Sequence, residues 1–416
     1  MKTLRTIFLS VCASGVLFGA AYKIPEQSVD AVALSAANVA AVKGADASYY
    51  NPANMIWMDE EKSYFEATLT YINLPSIEFT SFVNPILNGK SKNENFLVPT
   101  FFYVSPKYDF LRWGISLTAP AGLSKKWSTP YQKAYAEEFS LEVYEINPSV
   151  SFEIWENLSF AVGLRFIYSE GTVKSDTKDL HDLGLAKARF RRDMDGDKSE
   201  FGYNLAITYK PTSDISLAAT YRSKVDLNEE GNAKLYFDAI GGKVYDGEAS
   251  VSIPLPAVMT LAASYDYNKD TTFELTYEKT KWSSYSTLDF EYQDELNPGL
   301  AKVFDAPIPK NWKDTDTWRI GVSHQYNEKL KLMAGFAIDE TPIPEDTLGF
   351  ELPDADAKIY SIGFDYKINN QLTIGGAYLY DDKDDRTVVQ KREGGINGEF
   401  TKGGAHLVSV GLKYTY

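Results

Sequence analysis

The chain has 416 residues, 44% hydrophobic and 14% aromatic, with 42 Lys and Arg against 57 Asp and Glu, a formal charge of -15 at pH 7. So acidic a surface excludes nucleic acid as a partner. Its one cysteine, Cys12, lies in the export signal described next, so the mature chain is predicted to have no disulfide, thiol nucleophile or cysteine metal site.

Residues 1–21 read as that export signal: Lys2 and Arg5 give a positive start, Ile7 to Phe18 an apolar run, and Gly19-Ala20-Ala21 a small-residue cleavage site. Val11 before Cys12 argues against lipid attachment. Removing the signal takes away two positive charges and no acidic ones, leaving -17. No linker-like stretch divides the remainder, so one domain is expected. Nor does it contain a run of about 18 apolar residues. A place in a membrane would therefore require a barrel.

Residues 22–55 come next. Eleven of the eighteen residues from Ala31 to Ser48 are Ala, Gly or Ser. Val29, Val32, Ala36, Val39 and Ala40 fall near a helical period, with Ser28 as N-cap, Asp30 in the first turn and Gly44 as the stop. The spacing predicts a helix too small-sided to stand alone and suited to filling a tight space. Pro52 fixes its own φ and pushes Asn51 toward an extended conformation, so Asn51-Pro52-Ala53 reads as a rigid corner before the first strand.

From residue 56 to 416 the pattern changes to period 2. Phe273, Leu275 and Tyr277 alternate with Thr272, Glu274, Thr276 and Glu278, and Tyr360, Ile362, Phe364 and Tyr366 with Ser361, Gly363 and Asp365. Fourteen such segments fall near 62–74, 97–105, 111–119, 139–154, 158–172, 200–210, 215–227, 250–266, 271–281, 316–326, 329–339, 357–367, 371–381 and 405–416. Short turns such as Trp155 to Asn157 alternate with long connections such as Lys174 to Ser199 and Lys281 to Asp314. An even strand number with sorted loops predicts an all-β fold, a transmembrane antiparallel barrel with short periplasmic turns and long outer loops. Arg165, Arg222, Glu274, Asp365 and Lys413 alternate with apolar neighbours and are assigned to the lumen, as are the small residues Gly163, Gly335, Gly363, Gly375, Ala377 and Gly411. The 28 Tyr suit girdles at the membrane boundaries.

Catalytic groupings are weak. His181, His324 and His406 fall in distant segments, and Ser323 beside His324 faces the opposite side of its strand. Asp193, Asp195 and Asp197 surround Gly196, but a calcium loop places its glycine sixth rather than fourth, so a solvated acidic loop is expected. Neither an enzyme, a cofactor nor a metal site is expected. Leu180, Leu183, Phe190 and Met194, flanked by Arg189, Arg191 and Arg192, form an apolar stripe in the long connection. A polar loop touching lipopolysaccharide is the equal alternative.

KIPEQS from Lys23, the Ala-rich run, GADASYYNPANM ending at Met55, SLTAPAGL from Ser116, EINPSVSF from Glu145, Tyr221-Arg222-Ser223 and DETPIP from Asp339 follow one another in an order that resembles the FadL family. Its members are outer-membrane transporters of long-chain fatty acids and hydrocarbons in Gram-negative bacteria. The resemblance implies a fourteen-stranded barrel with residues 22–55 as a hatch inside it and Asn51, Pro52 and Ala53 in gating. It further implies diffusion-driven uptake of hydrophobic molecules, most often long-chain fatty acids. Arg222, Lys174, Lys310 and Lys313 fall roughly where the family places basic residues for a ligand carboxylate. Leu180, Leu183 and Phe190 would belong to an outer capture groove. The strand ending at Tyr416 resembles the signal read by the barrel-assembly machinery, and a monomer in contact with lipopolysaccharide is expected. A channel for aromatic hydrocarbons, and a general pore or adhesin, stay open at this point, as does the choice between periplasmic and sideways exit.

Overall fold

The computed structural model describes residues 21–392 and 394–416. The signal assigned to residues 1–21, Cys12 included, falls outside them except for Ala21. Fourteen strands among the described residues form the wall. The first seven are β1 (Tyr64–Leu74), β2 (Glu94–Val104), β3 (Leu111–Lys126), β4 (Glu138–Trp155), β5 (Leu158–Asp176), β6 (Phe190–Tyr209) and β7 (Ile215–Arg222, resuming as Val225–Phe237). The others are β8 (Gly242–Leu255, resuming as Val258–Asn268), β9 (Thr271–Thr280), β10 (Thr315–Gln325), β11 (Leu330–Asp339), β12 (Ala357–Lys367), β13 (Leu372–Lys383) and β14 (Gly404–Thr415). Each pairs antiparallel with its sequence neighbour, and β1 closes on β14 from Tyr64 opposite Thr415 to Asn73 opposite His406. Below that seam Ser63 and the terminal Tyr416 exchange two backbone hydrogen bonds.

Alternation sets the two faces. On β1, Leu69 and Tyr71 are exposed on the outer surface while Glu66, Thr68 and Thr70 are buried inside. All fourteen period-2 segments are strands. The difference lies in length: β4, β5 and β6 have 18, 19 and 20 residues, against the roughly 9–11 that cross a bilayer. Ladder pairing continues past the membrane, so the long connection predicted over Lys174 to Ser199 shrinks to 177–189. Asp193, Asp195 and Asp197 are therefore strand residues of β6, Asp195 opposite Thr172, rather than a loop.

The N-terminal segment runs inside the barrel and is buried for most of its length. Ser28 is the N-cap as predicted, its hydroxyl accepting from the Ala31 N–H, but the helix α1 is only Val29–Ala33. Ser35 and Ala36 take φ of 49° and 61°, left-handed values that end a helix. Small side chains let α1 lie against the wall where Gly335, Gly363, Gly375 and Gly411 leave no Cβ; one added at these positions would collide with Leu34, Ala33 or Val29. A second short helix, α2 (Ala47–Tyr50), and a 3-10 turn (Pro52–Trp57) bring the chain to the short-turn end.

The lumenal charges predicted from alternation all face this segment or its neighbourhood. Asp30 of α1 pairs with Lys331 and Lys413, and both lysines also pair with Asp365 at 2.8 Å. Polarity on the outer face should cost stability. Ile362→Arg, at mid-β12 and exposed to the hydrocarbon, should lower the unfolding free energy by about 2–4 kcal/mol in a urea titration of the vesicle-inserted barrel.

Candidate functional site: a window in the wall and the segment that fills it

The wall has a gap. β2 and β3 pair only from Phe101 opposite Leu117 to Val104 opposite Gly114, and meet again at Ser91 opposite Trp127. The pairing of β3 with β4 shifts register between Thr118 and Ala121, around Pro120, which has no N–H to offer. Between these limits β2 and β3 do not pair with each other.

The N-terminal segment takes the missing partner's place. The Ile24 N–H donates to the Pro120 carbonyl at 2.9 Å, and the Gly122 N–H to the Tyr22 carbonyl at 2.8 Å. Gln27 completes the seal with its side chain: its amide N–H donates to the Ala119 carbonyl at 2.9 Å, and its amide oxygen accepts from the Ala119 N–H at 2.8 Å. From β2, the Thr100 hydroxyl donates to the Gln27 carbonyl.

Behind this seal lies a cavity of about 70 Å³, space for a water or two. Cations and apolar groups share its lining, with Lys23, Arg165 and Arg222 facing Ile24, Val39 and Leu255. Arg165 and Arg222 share the single carboxylate of Glu145, which is fully buried. Arg222 also stacks on Tyr49, 4.3 Å from the ring centroid. Lys23 pairs with Glu278, which Arg319 approaches to 3.5 Å. Above the cavity Tyr22 stands edge-on to Trp282, centroids 4.7 Å apart, with Tyr285 and Trp312 around it. Burial lifts the Tyr285 phenol well above its ordinary range, so this box is uncharged.

The cavity's floor is the loop Val39–Val42. Glu274 reaches from β9 and accepts three consecutive backbone N–H groups, of Val39, Ala40 and Ala41, at 2.6, 3.0 and 2.7 Å. From the other side the Asn51 amide donates to the Val39 carbonyl at 2.9 Å and to the Thr208 hydroxyl at 2.8 Å, while the Asn54 amide reaches the Ala40 and Val42 carbonyls. The Ala53 carbonyl accepts from Ser151 and Ser159. The Asn51-Pro52-Ala53 corner thus joins the floor to β4, β5 and β6. Arg112, fully buried, closes the segment's last turn by donating to the carbonyls of Met55, Met58, Asp59, Lys62 and Ser105.

Of the four basic residues singled out from sequence, only Arg222 lines this cavity. Lys174 pairs with Glu138 near the outer end of β5, Lys310 is buried beside Glu351, and Lys313 is exposed in the connection between β9 and β10. In the outer connection only Lys178–Asp182 is helical. Leu180 is half-buried, Leu183 exposed, and Phe190 stacks on Phe237 within the sheet extension, 4.6 Å between centroids. Sequence reasoning missed Gln27, Lys23, Glu145 and Arg112. For Glu145 and Arg112 a signal existed, since each is a charge alternating with apolar residues on a strand.

Residues 10–416 match the family described as "Outer membrane protein transport protein (OMPP1/FadL/TodX)". The long-chain fatty acid transport protein of Escherichia coli O6:H1 is 24% identical over 401 residues, covering 88% of this chain and 87% of that protein. The crystal structure of a Pseudomonas aeruginosa FadL homologue superposes with a TM-score of 0.81 at 19% identity, over 94% of this chain and 99% of that one. A monoaromatic hydrocarbon channel, CymD, superposes with a TM-score of 0.70 at 15% identity, over 95% and 99%.

Removing the shared carboxylate tests the charge arrangement. Glu145→Leu leaves two guanidinium groups buried without it and should destabilise the barrel by about 3–5 kcal/mol, read as a lowered urea midpoint in detergent.

Proposed function

The chain belongs to the family of outer membrane protein transport proteins (OMPP1/FadL/TodX), and from that premise we propose that it takes up long-chain fatty acids, with residues 22–55 acting as a displaceable hatch. It is an outer-membrane channel for hydrophobic compounds in a Gram-negative bacterium, and it catalyses no reaction. The observation that carries the fatty-acid reading is the excess of cations at the apolar cavity, where Arg165 and Arg222 divide one carboxylate between them. A ligand carboxylate arriving from above supplies the second anion. The similarity to a protein named for long-chain fatty acid transport supports the same reading.

With about 70 Å³ free, the resting cavity is too small for a ligand, so entry requires Tyr22 to Gln27 to move. That movement withdraws the groups that seal the window between β2 and β3. An apolar tail then has a sideways path into the bilayer, and no energy source is needed because the ligand only has to favour the displaced segment over the seated one. Asn51, Pro52 and Ala53 hold the floor shut meanwhile. One observation favours an aromatic substrate instead: the Tyr22 ring already occupies a box of Trp282, Tyr285 and Trp312 that another aromatic ring would fit. This second reading matches the similarity to a monoaromatic hydrocarbon channel.

Uptake separates the two. Arg222→Met should lower uptake of labelled oleate by cells carrying the chain about ten- to a hundredfold, at equal barrel yield, while toluene passage stays as before. Equal loss of both substrates would count against the carboxylate role. Deleting residues 31–42 should make the barrel leak small sugars in a liposome swelling assay; no leak would refute the hatch.

A further inference from the structure

Beneath the floor loop lies a second cavity, of about 260 Å³, open toward the periplasmic turns. The loop is a single-layer partition, because Val39 lines the upper cavity and Ala40 to Val42 the lower one. Lys43, Trp57, Met58, Lys210, Ser264 and Asp266 surround the lower space.

Its polar groups are incompletely matched. The Lys210 ammonium lies 4.2 Å over the Trp57 ring, and among the described residues no carboxylate stands within ion-pair distance of it. The Trp57 indole N–H is buried without an acceptor. Lys43 reaches only Asp266, at 3.9 Å, and Asp266 also accepts from the Thr272 hydroxyl. The other acidic lining residue, Asp59, is paired with Lys62. With the exposed Lys43 matched to Asp266 and Asp59 to Lys62, Lys210 is left as an ammonium without a carboxylate, a local excess of one positive charge in a chain of net charge -15. A charged acceptor in the cavity beside Lys210 would supply the counter-charge it lacks.

We propose that this lower cavity is a second carboxylate site, taking the head group of a carboxylated amphiphile at the periplasmic mouth. One excess positive charge suits a monoanionic carboxylate rather than a doubly charged phosphate. Met58 and Val42 accept a few methylenes. The volume lies under the roughly 300 Å³ of a drug-sized pocket, so a head group and a short stretch of tail fit, not a whole long chain. With the floor shut, the head group reaches this site from the periplasmic side, toward which the cavity opens. This assignment rests on the fatty-acid reading above.

The test uses the purified full-length barrel in detergent, with hexanoate as probe and hexanol as its uncharged counterpart. Hexanoate should change tryptophan fluorescence saturably, and the change should vanish in Trp57→Phe. Lys210→Met, which keeps the apolar stem over the ring, should weaken hexanoate binding about ten- to a hundredfold, and Lys210→Arg should restore most of it. Equal affinity for hexanoate in Lys210→Met and the unmodified chain, or equal affinity for hexanol and hexanoate, overturns the site. Oleate uptake by the unmodified chain is measured beside it. Uptake without a Lys210 effect on hexanoate defeats this site alone, whereas Lys210-dependent hexanoate binding without oleate uptake leaves the site and defeats the fatty-acid reading.

Discussion

A backbone polar group shut away from water must find a partner, and this requirement shapes the barrel more than any other. Most of the fourteen strand seams meet it by ladder pairing along the membrane-crossing part of the wall, that between β6 and β7 with an interruption from Asn204 opposite Arg222 to Asp197 opposite Glu230. The seam between β2 and β3 does not, and there the partners come from the N-terminal segment: backbone groups of Tyr22 and Ile24, and the Gln27 side chain imitating a peptide unit against Ala119. The same economy recurs where Glu274 meets three N–H groups and Arg112 five carbonyls. Side chains of the wall satisfy a segment with little regular structure of its own.

Size and charge are matched across this interface. The segment is rich in Ala because the wall it faces is rich in Gly, and the pair approach closely at Gly335 and Gly411. The carboxylate of Asp30 lies between Lys331 and Lys413, two lysines that also pair with Asp365. Losing one partner of such a buried set costs more than the set contributes when intact.

The wall was legible in the sequence because period-2 alternation is local: Leu275 and Tyr277 declare the lipid face, and Glu274 the lumen, within four residues. Strand ends above the membrane were less so, since in β5 and β6 the apolar alternation fades before the pairing does; Glu170 and Asp197 are ladder partners with no apolar neighbour to announce it. The N-terminal segment read as a longer helix because Val29 to Ala40 keeps a helical period, yet Glu274, more than 230 residues away, claims the N–H groups of Val39 to Ala41. Gln27 had no signal at all. An amide among KIPEQS looks like any surface glutamine until the break at Pro120 leaves Ala119 without a strand partner.

The fastenings of the inner segment are unequal from one end to the other. Near β1 it is held by Arg112 and the Asn51 corner, at its middle by Glu274, and beside the window by the Gln27 amide, two backbone bonds, the Lys23–Glu278 pair and the aromatic rings around Tyr22. One short ribbon of chain thus covers a break in the side wall at one end and lies beside the periplasmic mouth at the other, so that both openings share a single backbone.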